Sequence, residues 1–177
     1  MAIEMRRASL IDLDLLLANV QEGFDSYVAF APLGWQPPDV SADRERTAEL
    51  LSDSATWALT AFTDGQPAGH VAFFPAHEPT PAHAAGGPRS QPVIPGLAHL
   101  WQLFVRPSWW GRGVAQLLHE AALAEMSRQR YRRARLYTPA LHIRARRFYE
   151  RCGWSATAEM WNDNLALMLT EYGRNIG

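Results

Sequence analysis

Two glycines near the middle of the chain could bind a phosphate group. The segment Trp110-Gly111-Arg112-Gly113-Val114-Ala115 follows an apolar run, Leu103-Phe104-Val105, and precedes apolar residues at helical spacing. Gly111 and Gly113 permit dihedral angles and a close ligand approach that other residues resist. A helix that begins at Gly113 would present unpaired N–H groups and the positive end of its dipole. The turn is therefore predicted to hold a pyrophosphate, with Arg112 adding a charged contact.

The same spacing excludes two other kinds of nucleotide site. Gln116 and Leu117 follow where the dinucleotide fingerprint G-x-G-x-x-G needs a third glycine. A Walker phosphate loop requires Gly-Lys-Ser/Thr, and this chain contains no lysine. On the glycines alone, a tight strand-to-helix turn without any ligand stays an open alternative.

Hydrophobic spacing predicts the elements that must position this turn. The predicted strands are 3–6, 56–62, 69–74, 98–105, 134–138, 154–160 and 165–170. The predicted helices begin at the capping box Ser9–Asp12, at about residue 41, at Gly113 and at Leu141. Residues 75–96, with six prolines and three glycines, are predicted to form a long loop that is either functional or mobile. The order βααβββαβαββ predicts a mixed α/β domain with helices on both faces of one sheet.

Composition narrows the class of protein. The chain has 177 residues, which suits one domain over 1–177, and 47% of them are hydrophobic. No apolar run is long enough to span a bilayer, and the N-terminus lacks the pattern of a signal peptide. Cys152 is the only cysteine, so no internal disulfide can form. We expect a cytoplasmic protein without a membrane partner, and the sequence predicts no metal site.

Charge is unevenly distributed along the chain. Residues 1–96 carry twelve acids and five arginines, whereas residues 97–177 carry six acids and twelve arginines. An anionic ligand would therefore prefer the second half. Nine arginines lie within 128–151, so a nucleic-acid-binding module is a second hypothesis. A net charge of −1 and the lack of a recognised nucleic-acid motif argue against it.

Two segments resemble the motifs of one enzyme superfamily, the Gcn5-related N-acetyltransferases (GNAT). The glycine turn is similar to motif A, Gln/Arg-x-x-Gly-x-Gly/Ala after a Val-x-Pro strand end: Gly113 and Ala115 match, while Trp110 replaces the usual Gln or Arg. Residues 145–154, ARRFYERCGW, resemble motif B, A-x-x-F-Y-E-x-x-G-F/W. The predicted element order agrees over nearly the whole chain. The resemblance implies a single GNAT-like domain with a mixed, mostly antiparallel central sheet.

The resemblance also implies a reaction and a cofactor site. An acetyl group would pass from acetyl-CoA to a primary amine by direct attack in a ternary complex. The fourth strand would separate from the fifth near residues 103–105 and leave backbone groups free for the thioester and the pantetheine arm. His142 stands where many members have a cofactor-contacting asparagine. The implied cofactor-binding residues are Leu103, Phe104, Val105, Trp110, Gly111, Arg112, Gly113, Val114, Ala115, His142 and Phe148.

Catalytic groups follow from the same resemblance. Tyr149 matches the motif B tyrosine that protonates the departing thiolate, and a phenol with a reference pKa of about 10 is protonated at neutral pH. The family often uses a glutamate on the fourth strand as general base, but no acid lies between Glu78 and Glu120. His99, on that strand, is the predicted base, since its reference pKa is about 6.5. A water chain, or an amine that arrives neutral, is the alternative.

The acceptor is expected to be a small-molecule or peptide amine. By the resemblance, the first helix and the loop after it border the acceptor, and they carry Phe24, Tyr27, Phe30 and Trp35. A third hypothesis is a protein of this fold that binds acyl-CoA as a sensor without turnover. The length of the acyl group and the oligomeric state, with a homodimer among the options, stay open.

Overall fold

A single seven-stranded sheet runs through the computed structural model, which describes residues 2–79 and 90–177. The spatial order is β1-β2-β3-β4-β5-β7-β6, with only β4 and β5 parallel. The strands are β1 Ile3–Arg7, β2 Trp57–Thr63, β3 Gln66–His77, β4 Val93–Val105, β5 Arg133–Pro139, β6 Ser155–Asn162 and β7 Leu167–Asn175. The helices are α1 Leu13–Asp25, α2 Arg44–Ser52, α3 Val114–Arg128 and α4 Ile143–Arg151. This is the predicted element order and the predicted mixed sheet.

Helix α1 begins where the capping box predicts. The Ser9 N–H donates to Asp12 Oδ2 at 3.0 Å, and a 3-10 turn, Leu10–Asp12, leads into the helix. Its apolar stripe packs against Val40 and Phe104. Gly23 faces the ring of Phe104 so closely that a Cβ there would overlap it. Helix α1 therefore lies directly on β4, and this contact sets one wall of the site described below.

Helices α3 and α4 cover the opposite face of the sheet. Val114, Leu118, Ala122 and Met126 lie at helical spacing, and all four are buried. They share one core cluster with apolar residues of β3, β4 and β5, among them Val71, Phe73, Leu100 and Leu136. Burying a Val, Leu, Met or Phe side chain contributes about 1.5–3 kcal/mol. The α3 stripe thus holds the helix start, and the turn before it, against the sheet.

The predicted loop 75–96 is shorter in the structure. Strand β3 continues to His77 and β4 begins at Val93, and these two residues pair across the antiparallel ladder. Pro75 also pairs, with Ala98. Proline lacks only one donor, so it is tolerated in a strand where the ladder is irregular, and the register shifts between Pro75 and His77. Of the residues between these strands, 78–92, those from 80 to 89 lie outside the described residues.

Strands β4 and β5 pair over only three residues each. Leu97–His99 pair with Arg133–Arg135, and beyond them the strands separate. On its other edge β4 stays paired with β3 as far as Val105, with a register shift that leaves Trp101 unpaired. The separation begins after His99, earlier than the predicted 103–105. It opens a wedge in the sheet in which main-chain groups of β4 have no strand partner.

None of the helices in the described part of the chain combines the length and hydropathy needed to cross a bilayer.

Candidate active site

A cavity of about 390 Å³ fills the wedge between β4 and β5. One side is the exposed edge of β4, residues 100–105, and the other is β5, residues 136–138. The end of α1 and the turn before α3 approach from opposite faces of the sheet, and α4 closes one end. The wedge is therefore open to two faces, so two reactants can meet in it.

The glycine turn forms the helix α3 side of the cavity. Gly111 and Gly113 have φ angles of +75° and +84°, in the left-handed region that favours glycine. A Cβ at either position would meet no protein atom within 4 Å, so the requirement for glycine is one of backbone conformation and of access to the cavity. Helix α3 begins at Val114, and the N–H groups of its first turn have no helical acceptor. These donors and the helix dipole suit a pyrophosphate.

Trp110 has a structural task in this turn. Its Nε1 donates to the Val105 carbonyl oxygen at 2.7 Å, which ties the turn to the end of β4. The guanidinium of Arg144 lies 4.2 Å from the centre of its ring, a cation–π contact. The indole thus holds an arginine of α4 beside the glycine turn, where an anionic ligand would need a cation.

The cavity brings together most of the residues predicted for cofactor binding. Arg112 is the exception, because its guanidinium lies over Trp109 and it does not line the cavity. Arg144 and Arg151 line the cavity instead. The ten predicted residues on the wall are Leu103, Phe104, Val105, Trp110, Gly111, Gly113, Val114, Ala115, His142 and Phe148.

Tyr149 lies on the cavity wall and is 8% exposed. Its ring contacts Phe148, Trp154 and Tyr172. Burial, reinforced by the nearby Tyr27, raises the pKa of the Tyr149 phenol far above its usual value. The hydroxyl is therefore protonated at neutral pH, the state that a proton donor needs.

His99 lies apart from the cavity. Its ring packs between Phe74 and Tyr137, with centroids 5.3 and 5.6 Å away, and it does not line the wall. Its Nδ1 is buried with no hydrogen-bond partner in the described residues. Burial and the neighbouring Arg135 lower the pKa of His99 to about 3, so the imidazole is neutral. A general base must lie within hydrogen-bond reach of the proton that it accepts, or be joined to it by a water molecule. Because His99 does not line the cavity, it could accept a proton from a bound amine only through a water molecule.

An aromatic cluster lies on the α1 side of the cavity, and two of its members, Tyr27 and His142, line the wall. Tyr27 and Phe30 pack on the ring of His142, at centroid distances of 5.3 and 4.6 Å. Trp35 contacts Tyr27, and its Nε1 donates to the Leu165 carbonyl oxygen at 2.6 Å. This bond joins the loop after α1 to the turn between β6 and β7. Burial and the charge of Arg144 lower the pKa of His142 to about 4.

The acidic residues near α1 are engaged elsewhere. Asp12 forms an ion pair with Arg6, and Asp14 with Arg44. Glu22 lies 3.1 Å from Arg106. Among the described residues, no carboxylate side chain lines the cavity. No three His, Cys, Asp or Glu side chains within 2–79 and 90–177 come together as a metal site either.

The wall also includes residues that were not singled out from the sequence as site residues, among them Gln102, Tyr137 and Arg144. Gln102 is, besides His99, the polar residue of a mostly apolar strand, and that interruption is a signal that could have been used. Tyr137 lies on the wall, and its hydroxyl donates to Glu171 Oε2 at 2.8 Å. Arg144 carries no local signal, since eight other arginines lie in the same stretch of sequence.

Solved structures with low sequence identity share this fold. An N-acetyltransferase from Staphylococcus aureus Mu50 matches with a TM-score of 0.73 at 16% identity, covering 100% of both chains. The PaiA N-acetyltransferase from Thermoplasma acidophilum, in complex with coenzyme A, matches with a TM-score of 0.69 at 18% identity, covering 97% of this chain and 98% of the other. YncA from Salmonella typhimurium, solved with its cofactor acetyl-CoA, matches with a TM-score of 0.68 at 17% identity over 100% and 95%. No curated protein matches the sequence significantly.

A sequence profile described as the acetyltransferase (GNAT) family matches residues 20–154. That span contains the wedge, the glycine turn and helix α4, and it covers well over half of the chain. The chain therefore belongs to the GNAT acetyltransferase family.

Proposed function

We propose that this protein transfers an acetyl group from acetyl-CoA to a primary amine, by direct attack within a ternary complex. The observation that carries the proposal is the wedge between β4 and β5, which opens to both faces of the sheet beside a helix start with free N–H groups. Acetyl-CoA is expected to enter from the α3 side and the amine from the α1 side. We propose the reducing cytoplasm as the compartment, because the only cysteine, Cys152, is free.

The β4 edge supplies hydrogen bonds to the acyl donor in this proposal. Residues 100–105 have no β5 partner, so alternate N–H and C=O groups along that edge lack a strand partner, and the Val105 oxygen is bonded by Trp110 instead. An extended pantetheine arm can pair with such an edge as an added strand would. An N–H on the same edge can stabilise the negative charge that develops on the thioester oxygen, and such a donor is typically worth about 3–4 kcal/mol.

Proton transfer is assigned to Tyr149 and, on the amine side, to water. The departing thiolate gains a proton from the Tyr149 hydroxyl, whose raised pKa keeps it protonated. The attacking amine must lose a proton, and no carboxylate lines the described wall to accept it. A primary amine that arrives neutral carries two protons on its nitrogen, and it passes one of them to water as the amide forms. His99 keeps its predicted role as base only through such a water.

The Tyr149 hydroxyl provides the test of this mechanism. In Tyr149→Phe we expect kcat to fall at least 100-fold, a typical loss for a general acid. Acetyl-CoA affinity should stay within about twofold, since a single neutral hydroxyl would be removed from a buried wall. Thiol release from acetyl-CoA with a panel of amines measures kcat, and titration calorimetry measures the affinity for acetyl-CoA. Tyr131→Phe is the matched control, because Tyr131 is half-buried and does not line the cavity.

Three results would separate the alternatives. Equal rates for wild type and Tyr149→Phe would contradict the role of the hydroxyl. Tight acetyl-CoA binding with no thiol release for any amine would favour the sensor hypothesis. A salt-dependent mobility shift with DNA would favour the nucleic-acid hypothesis, although Arg135 and Arg146 donate to groups within the protein and Arg128 pairs with Glu125.

A further inference from the structure

A chain of hydrogen bonds runs from the end of β4, through buried side chains, to the cavity wall. Arg106 Nε donates to Asn19 Oδ1 at 2.6 Å. Asn19 Nδ2 lies 3.2 Å from His70 Nδ1, and His70 Nε2 lies 2.9 Å from Gln102 Oε1. Asn19 and His70 are both 0% exposed. No motif of the family includes these four residues, and the reaction as proposed above does not use them.

The direction of every bond in this chain follows from Arg106. A guanidinium can only donate, so the Asn19 oxygen must face it and the Asn19 amide nitrogen must face His70. His70 Nδ1 therefore accepts, and the ring proton of the neutral imidazole lies on Nε2. Burial lowers the pKa of His70 to about 4, so the ring is neutral at neutral pH. His70 Nε2 then donates to the Gln102 oxygen, because reversing any link would leave buried groups unpaired.

Gln102 is left with one unused group. Its oxygen is engaged by His70, and its amide NH₂ has no hydrogen-bond partner in the described part of the chain. Gln102 lines the cavity. It shares a strand face with Phe104, two residues further on, which packs against Phe24 of α1. The cavity therefore carries a neutral donor, held in one orientation, on the side where the amine is expected.

A fixed donor selects for an oxygen on the ligand. An oxygen acceptor placed there gains a hydrogen bond, whereas a ligand without one leaves the NH₂ unpaired. A second ammonium group, as in a polyamine, would find no carboxylate on the described wall. Because Gln102 lies within the β4 edge assigned to the thioester, the recognised oxygen must lie close to the reacting amine.

We propose that Gln102 recognises the carbonyl or carboxylate oxygen of an α-amino acyl group, so that the acceptor is a free amino acid or the first residue of a peptide. Arg106, Asn19 and His70 are positioning residues that orient the Gln102 amide. The proposal rests on the proposed function, since it assigns the acceptor of that reaction.

Binding of the acetylated products tests the proposal without requiring turnover. It also avoids the differences in basicity between amine substrates, because the products are neutral at the amide nitrogen. N-acetyl-L-phenylalanine N-methylamide stands for a peptide, N-acetyl-L-phenylalanine for a free amino acid, and N-acetylphenethylamine lacks the oxygen in question. Each is titrated calorimetrically into the protein saturated with CoA. We expect one or both oxygen-bearing products to bind about tenfold more tightly than N-acetylphenethylamine, a typical gain for one hydrogen bond. The tighter of the two identifies a peptide or a free amino acid as the source.

Gln102→Met keeps the size of the side chain and removes the donor. It should abolish the preference by weakening only the oxygen-bearing products, with CoA affinity unchanged. Gln66→Met is the matched control, because Gln66 is exposed at the β2–β3 turn outside the cavity. A preference that survives in Gln102→Met would overturn the proposal, and so would a wild type that binds all three products equally or none.

Arg106→Met tests the positioning residues. Without the Arg106 donor, the hydrogen bonds from Asn19 to Gln102 can adopt the reverse direction. The preference for oxygen-bearing products should therefore fall to about threefold, while N-acetylphenethylamine binds as before. A structural role alone would weaken all three products alike and leave their ratio unchanged, which would contradict the assignment. Failure of the proposed function is seen separately: in that case CoA binds, but no amine releases thiol from acetyl-CoA.

Discussion

The two sides of the cavity are built in different ways. The cofactor wall, which we propose binds acetyl-CoA, comprises residues 109–116 and 144–151 and presents main-chain groups of a turn and a helix start, with arginines beside them. The acceptor wall, which we propose binds the amine, comprises Gly23, Ser26 and Tyr27 with Gln102, and it presents side chains brought together from distant segments. Main-chain recognition depends on backbone conformation and tolerates changes of side chain. Side-chain recognition depends on long-range packing between distant segments of the chain.

The largest effect is expected on the cofactor wall. Gly113→Val places a β-branched residue at φ +84° and a side chain over the free N–H groups. Strain of about 1–3 kcal/mol and the loss of access should weaken acetyl-CoA binding about 100-fold. Titration calorimetry measures the affinity, and a circular-dichroism melt checks that the variant folds.

Trp110→Gln is the matched variant at the same turn. It removes the bond to the Val105 oxygen and the surface for Arg144, but it leaves the main-chain donors in place. We expect acetyl-CoA affinity to fall by less than about tenfold, the scale of one lost hydrogen bond. Equal losses in the two variants would mean that the cofactor wall works through side chains, which would remove the contrast with the acceptor wall.

An intermediate effect is expected from acid on His70, which lies behind the acceptor wall and bonds to Gln102. The pKa of His70 is about 4 in the folded protein and about 6.5 as a reference, so below pH 6.5 the unfolded state binds more protons. Stability from this residue is complete above pH 6.5 and is lost as the pH falls towards 4. By pH 5 the loss should be about 2 kcal/mol.

Urea unfolding of wild type and His70→Gln at pH 7 and pH 5 measures this difference. The variant should be less stable at pH 7, because the chain to Asn19 and Gln102 is disturbed. Its stability should nevertheless change less between the two pH values. Parallel losses in both proteins would show that other groups, among them His119 with a pKa of about 4, account for the acid sensitivity.

The smallest effect is expected from Trp35→Phe. The change removes the bond from Nε1 to the Leu165 oxygen and keeps the aromatic contact with Tyr27. Loosening this link should raise KM for the amine about threefold to tenfold, in keeping with one hydrogen bond, with little change in kcat. Steady-state kinetics measures both, with the exposed Trp161→Phe as control. A larger effect on KM for acetyl-CoA than on KM for the amine would place Trp35 on the wrong wall.

Much of the predicted fold came from local sequence patterns. The capping box at Ser9 and the glycines at 111 and 113 occur where they were expected: the Ser9 N–H donates to Asp12, and both glycines have positive φ angles. The wedge was expected through the resemblance, although it begins earlier, after His99. The ends of the predicted loop 75–96 instead form strand, because pairing between β3 and β4 outweighed the local preference of proline.

Side-chain geometry was harder to predict. Nothing local shows that His99 faces Phe74 and Tyr137 away from the cavity, because strand alternation there is shifted by the irregular pairing near Trp101. Arg112 was assigned to the phosphate site by adjacency, yet its guanidinium lies over Trp109. The role of Arg144 depends on a contact with Trp110, 34 positions earlier in the chain.

The sequence by itself determined the element order, the family and the glycine turn, because these depend on residues that are neighbours along the chain. Backbone conformation, helix starts and motif spacing are local properties. Only the tertiary structure decided the acceptor side, where the direction of the Gln102 amide depends on Arg106, Asn19 and His70. Those residues come from α1, β3 and the end of β4, and a hydrogen-bond direction exists only once they are packed together.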